Sequence, residues 1–345
     1  MFRLAYGLMG LAFVAGLVRG ADQPEPGSRH VAWRLPGYER IAEGIPEEAF
    51  FPEEEFDHQA TKDADNDAKK ASKQVRATAI WTMDVASGEV TELTSIPDYP
   101  IINSPEISPD GEWVAVDGWK AEERLTDARV FLVNLKNGAV VNLVKGCMPS
   151  WSADGKWIAF CKYGEERGVY IRSVNGAAER LIDRDGWGIQ WAPNGLKAAY
   201  SRDGKFVIYD FIADSREEIS TVQEWPYSSI YWNCKWSSDS KQICFLGRRA
   251  DGGKDIGILD LVGEKPRLRV RGDAEKFNPD IAWHPDGSRI VLPAESRPKE
   301  PGQIYVFDPN GYKPPRRLEG QPADRANGGM CWTQGGKVLI FLSRG

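Results

Sequence analysis

The sequence predicts an all-β fold, a six-bladed β-propeller made of four-stranded antiparallel blades. Three observations lead to this prediction. A turn-containing motif recurs six times, a strand motif alternates with it six times, and the chain begins and ends on complementary halves of the repeat. A period of about 40 to 50 residues is typical of propeller blades.

The first motif is an anchor residue, a short polar turn and a β-rich strand. Its six anchors are Ile107, Trp151, Trp191, Trp236, Trp283 and Trp332. Successive anchors lie 44, 40, 45, 47 and 49 positions apart, which is one blade per step. In the Ser-Pro-Asp-Gly turn, proline suits the second position of a type I turn and glycine suits the left-handed position. We therefore expect a three-residue hairpin loop with a bulge.

The second motif is an alternating strand followed by a turn and another strand. Its copies begin at Ile80, Val130, Val169, Phe206, Ile256 and Ile304. Each pair of motifs predicts one blade with an inner and an outer hairpin. The chain starts with an outer hairpin at about 78–95 and ends with an inner hairpin at about 329–343. These halves are predicted to pair and complete the sixth blade, because an open array would leave exposed strand edges.

The anchor, the Ser-Pro-Asp-Gly turn, the aliphatic-Ala-Phe strand and the Ile-Tyr-x-x-Asp strand together resemble the WD-like propeller repeat of the TolB family. The resemblance covers about residues 78–344 and implies a six-bladed propeller. It extends to the propeller part only, since TolB carries a mixed α/β domain before its propeller and residues 21–77 are too short and polar for one. Such repeats occur in binding proteins and in enzymes, so the resemblance implies no single function.

The N-terminal residues predict export. Arg3 is followed by an apolar stretch from Leu4 to Val18, which suits the core of a signal peptide ending at residue 20. A retained membrane anchor is the alternative, although about 20 residues are needed to span a bilayer. Residues 21–77 are predicted to be an irregular acidic segment, and residues 78–345 the propeller. The mature protein is expected in the periplasm or outside the cell, without a membrane span.

The five cysteines suggest disulfide bonds. If Ser152 faces Lys156 across a three-residue loop, counting outward places Cys147 opposite Cys161. The same count in the fourth inner hairpin places Cys234 opposite Cys244. Cα atoms at such non-hydrogen-bonded sites approach to about 4.5 Å, within disulfide range. We predict the bonds Cys147–Cys161 and Cys234–Cys244 with Cys331 free; buried reduced thiols are the alternative.

No catalytic set, cofactor or metal site is predicted. The chain has three histidines, of which His284 occupies a turn position and is expected to be solvated. The sequence contains no nucleophile elbow, phosphate loop or metal-spaced histidine pair. Its formal net charge of -6 argues against a nucleic-acid partner, which requires a basic face.

The channel mouth that receives the stretches flanking each inner hairpin is the predicted binding site. Its candidate residues are Asn103, Trp119, Tyr163, Trp187, Arg202, Arg248, Arg249, Asn278, Glu295 and Arg297, with Trp232 and Asn327 beside them. Aromatic faces among Arg, Asn and Glu suit sugar rings or an extended peptide. Alternatively, Trp187 and Trp232 pack between blades.

Three functions are compatible with these residues. The leading hypothesis is a non-catalytic binding or scaffold protein whose partner is an envelope protein or a glycan. The alternative is a carbohydrate-active lyase or hydrolase that uses mouth carboxylates and arginines, because catalytic carboxylates carry no local signature. The third is a structural module of a larger exported complex. The sequence leaves the oligomeric state open.

Overall fold

The structure, a computed structural model, describes residues 77–219, 225–271, 274, 276–294, 296, 300–310 and 314–345. The predicted signal peptide and nearly all of the predicted acidic segment lie outside the described residues. Six antiparallel sheets follow one another along the chain. We number them as blades in the order of their inner strands.

The first three blades are continuous in sequence. Blade 1 contains β3 (Ile101–Ile107), β4 (Trp113–Trp119), β5 (Arg129–Asn134) and β6 (Val140–Lys145). Blade 2 contains β7 (Cys147–Trp151), β8 (Trp157–Lys162), β9 (Gly168–Ser173) and β10 (Glu179–Asp183). Blade 3 contains β11 (Trp187–Trp191), β12 (Lys197–Arg202), β13 (Lys205–Asp210) and β14 (Ser215–Glu218). Short 3-10 turns occur at Leu125–Asp127 and Gly164–Glu166.

The last three blades complete the ring. Blade 4 contains β15 (Tyr227–Ile230), β16 (Lys235–Trp236), β17 (Gln242–Arg249), β18 (Lys254–Asp260) and β19 (Arg267–Arg271). Blade 5 contains β20 (Ala282–Trp283), β21 (Ile290–Pro293), β22 (Ile304–Phe307) and β23 (Arg316–Arg317). Blade 6 combines β24 (Ala326–Trp332) and β25 (Val338–Arg344) with β1 (Thr78–Asp84) and β2 (Val90–Ser95).

Blade 6 confirms the predicted closure. Strand β1 pairs with β25 over its whole length, from Thr78 opposite Arg344 to Asp84 opposite Val338. The outer hairpin that begins the described chain therefore completes the inner hairpin that ends it. The long edge that either hairpin would expose alone is removed by this pairing.

The inner hairpin turns have four loop residues, so the expected three-residue loop is wrong. In blade 1 the Ser108 N–H donates to the Trp113 carbonyl at 2.8 Å, which leaves residues 109–112 as the loop. The Ser108 hydroxyl explains the length, because its Oγ accepts the Trp113 N–H at 2.9 Å and donates to Asp110. Gly111 takes the predicted left-handed conformation, with φ of 76°.

The longer loop changes the cysteine register. Ser152 faces Trp157, not Lys156, but a bulge between positions 147 and 150 restores Cys147 to a place directly opposite Cys161, as predicted. In blade 4, Lys235 lies opposite Cys244, so the expected register, with Cys234 directly opposite Cys244, is wrong. The Cys234–Cys244 disulfide itself stays a prediction. All five thiols are buried and free in the structure. The Cys147–Cys161 disulfide stays a prediction.

The hydrophobic core consists of layers between adjacent blades. Between blades 3 and 4, for example, Phe206 meets Phe245 edge to face at 5.0 Å, with Ile243 and Trp236 in the same buried cluster. Cys234 belongs to this layer, whereas Cys244 belongs to the layer between blades 4 and 5. Each large apolar side chain buried in this way contributes about 1.5 to 3 kcal/mol. The blades are thus fixed against each other around a central channel.

Candidate ligand-binding pocket

The six anchor residues form a ring around one end of the central channel. They line a cavity of about 420 Å³ together with Pro109, Pro193, Pro285 and other residues of the inner turns. We call this end of the channel the turn end and the cavity the tryptophan pocket. We call the opposite end, where the inner strands begin, the mouth end. One anchor comes from each blade, so the pocket exists only in the closed ring.

The indoles of the tryptophan pocket are held rigidly by the blades. Trp151 Nε1 donates to the Glu106 carbonyl of blade 1 at 3.0 Å, and Trp236 Nε1 donates to the Gln190 carbonyl of blade 3 at 3.1 Å. The five tryptophans are only 5–9% exposed, so they offer the pocket a small part of each ring. The wall is therefore apolar and preformed, as small-ligand and peptide sites usually are.

The floor of the pocket is made by residues one position before the anchors. Lys235 of blade 4 reaches across the channel to an ion pair with Glu106 of blade 1. Its Nζ also donates to Gln190 Oε1 at 3.0 Å. Both charged side chains remain partly accessible, so the pocket presents a paired cation and anion at its base.

A second polar layer closes the channel beneath this floor. Residues three positions before the anchors meet there: Asn233 Nδ2 donates to Asp280 Oδ1 at 2.6 Å and lies 3.3 Å from Ser104 Oγ. Only about 10 Å³ of free space remains in this layer. The backbone bulges that bring these residues inward include left-handed Ser104 and Asn233, with φ of 51° and 60°.

Two carboxyl groups in this layer hold protons more tightly than usual. Burial raises the pKa of Asp117 to about 6, against the hydrogen bonds from Ser104 and the Met148 N–H. Burial also raises the pKa of Asp280, although Asn233 lowers it. Charged carboxylates are disfavoured in a low-dielectric site, which explains both directions. Within the described residues, no group of three or more acidic, histidine or cysteine side chains is arranged to hold a metal ion.

Four of the six inner turns, whose other residues line the pocket, carry an aspartate at the tip. We call Asp110, Asp154, Asp239 and Asp286 the acidic turn ring. Each accepts hydrogen bonds from its own turn, such as Ser152 Oγ to Asp154 at 2.6 Å. Hydrogen bonds from Ser237 lower the pKa of Asp239, and those from Ser288 lower the pKa of Asp286 to about 2. Asp239 and Asp286 are therefore ionised at neutral pH.

The mouth end has a smaller cavity that contains part of the predicted site. Asn103 and Asn278 line a space of about 180 Å³, together with Asn327 and Arg344. The Asn327 side-chain amide is already hydrogen-bonded within the protein. It donates to the Pro322 carbonyl at 2.7 Å and accepts from Ser343 Oγ at 2.8 Å. Glu295 and Arg297, also predicted here, lie outside the described residues.

The predicted aromatic residues of the mouth end are spread over several blades. Tyr163 and Trp187 contact each other with ring centroids 4.5 Å apart, and Tyr163 lines a separate cavity of about 410 Å³ between blades 1 and 2. Trp119 ends β4 and is half-buried, while Trp232 is exposed beside Tyr231. Tyr163 and Trp187 therefore lie together, and they do not line the cavity that contains Asn103 and Asn278.

Two of the three described arginines predicted for the site are paired within the protein. Arg202 donates to the buried Asp183 at 3.1 Å, and Arg216 shares that carboxylate at 3.0 Å. Arg249 forms ion pairs with Asp251 and with the buried Asp255. Arg248 is exposed at the end of β17. A ligand at Arg202 or Arg249 would compete with these intramolecular partners.

Sequence reasoning missed the turn end as a candidate site. The recurring tryptophans were understood as markers of the repeat, although their identical repeat position also means that they meet at one level of a closed ring. His284 was expected in solvent but is buried: its Nε2 lies 3.0 Å from the Gly336 carbonyl and its ring packs edge-on against Trp332. The anchor of the next blade covers this turn position, which a single repeat does not reveal.

Known structures share this architecture. The chain is similar to a putative TolB from Agrobacterium tumefaciens, with a TM-score of 0.61 and 15% identity over 78% of this chain and 99% of that one. It is also similar to TolB from Acinetobacter baumannii, with a TM-score of 0.53 and 16% identity over 78% of this chain. The chain has a TolB-like propeller. This match covers 63% of the Acinetobacter protein, so the TolB-like propeller corresponds to less than two thirds of that chain.

A further solved structure is also similar to this chain. Hydrazine synthase from Kuenenia stuttgartiensis matches with a TM-score of 0.50 and 16% identity, over 71% of this chain and 74% of that one. Identities this low establish the fold alone. No protein-family model and no curated protein matches the sequence. Within the described residues, no helix has the length and apolar character needed to cross a membrane.

Proposed function

We propose that this protein is an exported, non-catalytic binding protein that holds an extended segment of an envelope protein in the tryptophan pocket. The observation that carries the proposal is the pocket itself: a preformed cavity of about 420 Å³, lined by one anchor from each of six blades. Rigid aromatic walls give contact area at a low cost in conformational entropy, which favours binding.

The chemistry of the pocket favours a polypeptide over a glycan. A sugar ring stacks on an open aromatic face and needs several polar groups around it. Here the indoles are 5–9% exposed, and the polar groups at the floor are already paired as Lys235–Glu106 and Lys235–Gln190. An apolar peptide side chain fills such a space without needing new hydrogen bonds, while its backbone meets the serines and amides of the rim.

Selection from a displayed random-peptide library tests the proposal. The matched variants are Ser238→Trp, which fills the pocket from an exposed rim position, and Ser229→Trp, an exposed serine of β15 outside the pocket. Peptides selected on the unmodified protein are expected to bind Ser238→Trp at least about tenfold more weakly and Ser229→Trp with unchanged affinity, by calorimetry.

Two results would count against this location or ligand. Peptide binding that survives Ser238→Trp but is lost in Asn103→Ala/Asn278→Ala would move the site to the mouth end. Retention of soluble polysaccharide, with no peptide selected above background, would favour a glycan instead.

A further inference from the structure

The cavity of about 180 Å³ at the mouth end, which we call the mouth cavity, is lined by two amide side chains without a structural role. Asn103 of blade 1 and Asn278, which precedes β20 of blade 5, are both half-buried. Among the described residues, neither amide has a hydrogen-bond partner. Asn327, the third asparagine of the cavity, differs because it bonds to Pro322 and Ser343. Asn103 and Asn278 therefore offer the cavity two carbonyl acceptors and two NH₂ donor groups.

Two charged residues of opposite sign also line the mouth cavity. Asp280 lies between this cavity and the second polar layer, and Arg344 is exposed at the end of β25. The Lys235 ammonium acts on Asp280 from within the channel, but it forms its ion pair with Glu106. Within the part of the chain that the structure describes, neither Asp280 nor Arg344 belongs to an ion pair. The cavity thus offers a carboxylate and a guanidinium whose charges the described residues leave unpaired.

The carboxylate lies at the floor of the mouth cavity and the guanidinium at its rim. Strand β24 connects the two levels, because Ala326 lies opposite Arg344 and the Gly329 N–H donates to the Asp280 carboxylate. Three residues of a strand span about 10 Å. The Arg344 and Asp280 side chains take up part of this depth themselves. The space left between their charged groups suits one or two residues of extended chain, at about 3.5 Å each.

The volume of the mouth cavity limits the ligand to a small molecule. About 180 Å³ corresponds to roughly six water molecules, at about 30 Å³ for each water. A free amino acid, or a dipeptide with small side chains, is of this size. Its ends are an ammonium and a carboxylate at neutral pH, because their pKa values are about 8 and about 3.5.

We infer that the mouth cavity is a second binding site, which takes a small zwitterion of the amino-acid class, a free amino acid or a dipeptide. The ammonium of the ligand donates to the Asp280 carboxylate at the floor, and its carboxylate accepts from the Arg344 guanidinium at the rim. The Asn103 and Asn278 amides bond to its remaining polar groups. Charge-assisted hydrogen bonds of this kind are roughly twice as strong as neutral ones.

The charges of the mouth cavity distinguish this ligand from other small molecules. A neutral sugar would leave both Asp280 and Arg344 without a counter-ion, and a simple ion would pair with only one of them. An ammonium beside Asp280 also stabilises the ionised form of that carboxyl group, which burial otherwise disfavours. A zwitterion satisfies both ends at once.

Calorimetric titration with L-alanine and L-alanyl-L-alanine tests the inference. N-acetyl-alanine lacks the ammonium of alanine, and alanine amide lacks its carboxylate. Each blocked compound is expected to bind at least about tenfold more weakly than alanine. Equal binding of either blocked compound, or no binding of either zwitterion, would overturn the inference.

Two variants that remove one charge each assign the two ends of the ligand. Asp280→Asn keeps an acceptor for Asn233, and Arg344→Gln changes an exposed side chain, so both are expected to fold. Asp280→Asn should weaken alanine at least about tenfold without changing the weaker binding of N-acetyl-alanine. Arg344→Gln should weaken alanine without changing the binding of alanine amide. Arg248→Gln, at an exposed arginine that does not line the cavity, is the control with unchanged affinity. Unchanged alanine binding in either cavity variant would contradict the inference.

The variant Ser238→Trp separates this site from the tryptophan pocket. It fills the pocket and is expected to bind alanine with unchanged affinity. Loss of alanine binding in Ser238→Trp would place the zwitterion at Lys235 and Glu106 in the pocket floor, and the inference would be wrong. Failure to select any peptide would overturn the proposed function and leave the alanine result unaffected.

Discussion

The turn end and the mouth end of the channel are made by the same six blades, yet they differ in how regular they are. At the turn end, equivalent repeat positions meet at one level and line one pocket; Trp151 and Trp236 donate to the preceding blade, whereas Trp191 and Trp283 donate within their own turns. At the mouth end, the predicted residues are divided among separate cavities, and Arg202 and Arg249 are held by Asp183 and Asp255.

This difference shows where a repeat protein can keep a rigid site. The inner turns keep one length in every blade, so the six anchors line one pocket. The connections at the mouth end vary in length from blade to blade. Some are held by ion pairs, such as Arg202–Asp183 and Arg249–Asp255. Three measurements would sharpen or break this comparison.

Removing one anchor should produce the largest effect. In Trp236→Ala, we expect a loss of about 3 to 5 kcal/mol in the free energy of unfolding, because a buried indole is deleted and the Gln190 carbonyl loses its donor. Trp119→Ala at the mouth end removes a half-buried indole and should lose less than about 2 kcal/mol. Denaturant unfolding measures both, and equal losses would contradict the contrast between the two ends.

The cysteine pair in blade 2 should produce the next effect. Cys147 faces Cys161 near the mouth end, and a disulfide that closes a loop of about 15 residues adds about 3 kcal/mol to stability. After oxidation, alkylation of the denatured protein should label three thiols, and Cys147→Ser should raise the count to four. Five labels on the unmodified protein would rule out the bond. One label would mean that Cys234 and Cys244 also pair.

The buried carboxyl group of Asp117 should produce a pH-dependent effect. Its pKa is about 6 in the fold and about 4 when unfolded, so the folded state binds the extra proton between these values. The stability that Asp117 contributes is therefore full below pH 4 and falls by roughly 2 to 3 kcal/mol as the pH rises through 6.

The variant Asp117→Asn removes this titration. It should be more stable than the unmodified protein by roughly 2 to 3 kcal/mol at pH 8 and equally stable near pH 4. Asn can still accept the Met148 N–H, as Asp117 does at 3.4 Å. Asp203→Asn, at an exposed aspartate, is the matched control substitution. A stability difference that is the same at both pH values would show that Asp117 does not titrate as described.

Much of the fold could be predicted because each repeat carries its own turn residues and strand pattern. The spacing of the anchors determined six blades, and the order of hairpins determined that β1 pairs with β25. Glycine at the turn predicted the left-handed conformation of Gly111, since only glycine adopts it without steric cost. These features depend on neighbours in the chain, so the amino-acid order alone was enough.

Tertiary structure decided what depends on neighbours in space. The Ser108 hydroxyl accompanies a turn one residue longer than expected. A bulge in blade 2 brings Cys147 back opposite Cys161, whereas blade 4 keeps Lys235 opposite Cys244. His284 became buried because the anchor of the next blade covers it. The floor formed by Lys235 and Glu106 joins blades on opposite sides of the channel. A residue faces the channel only when six blades close, and that closure brings together side chains more than a hundred positions apart.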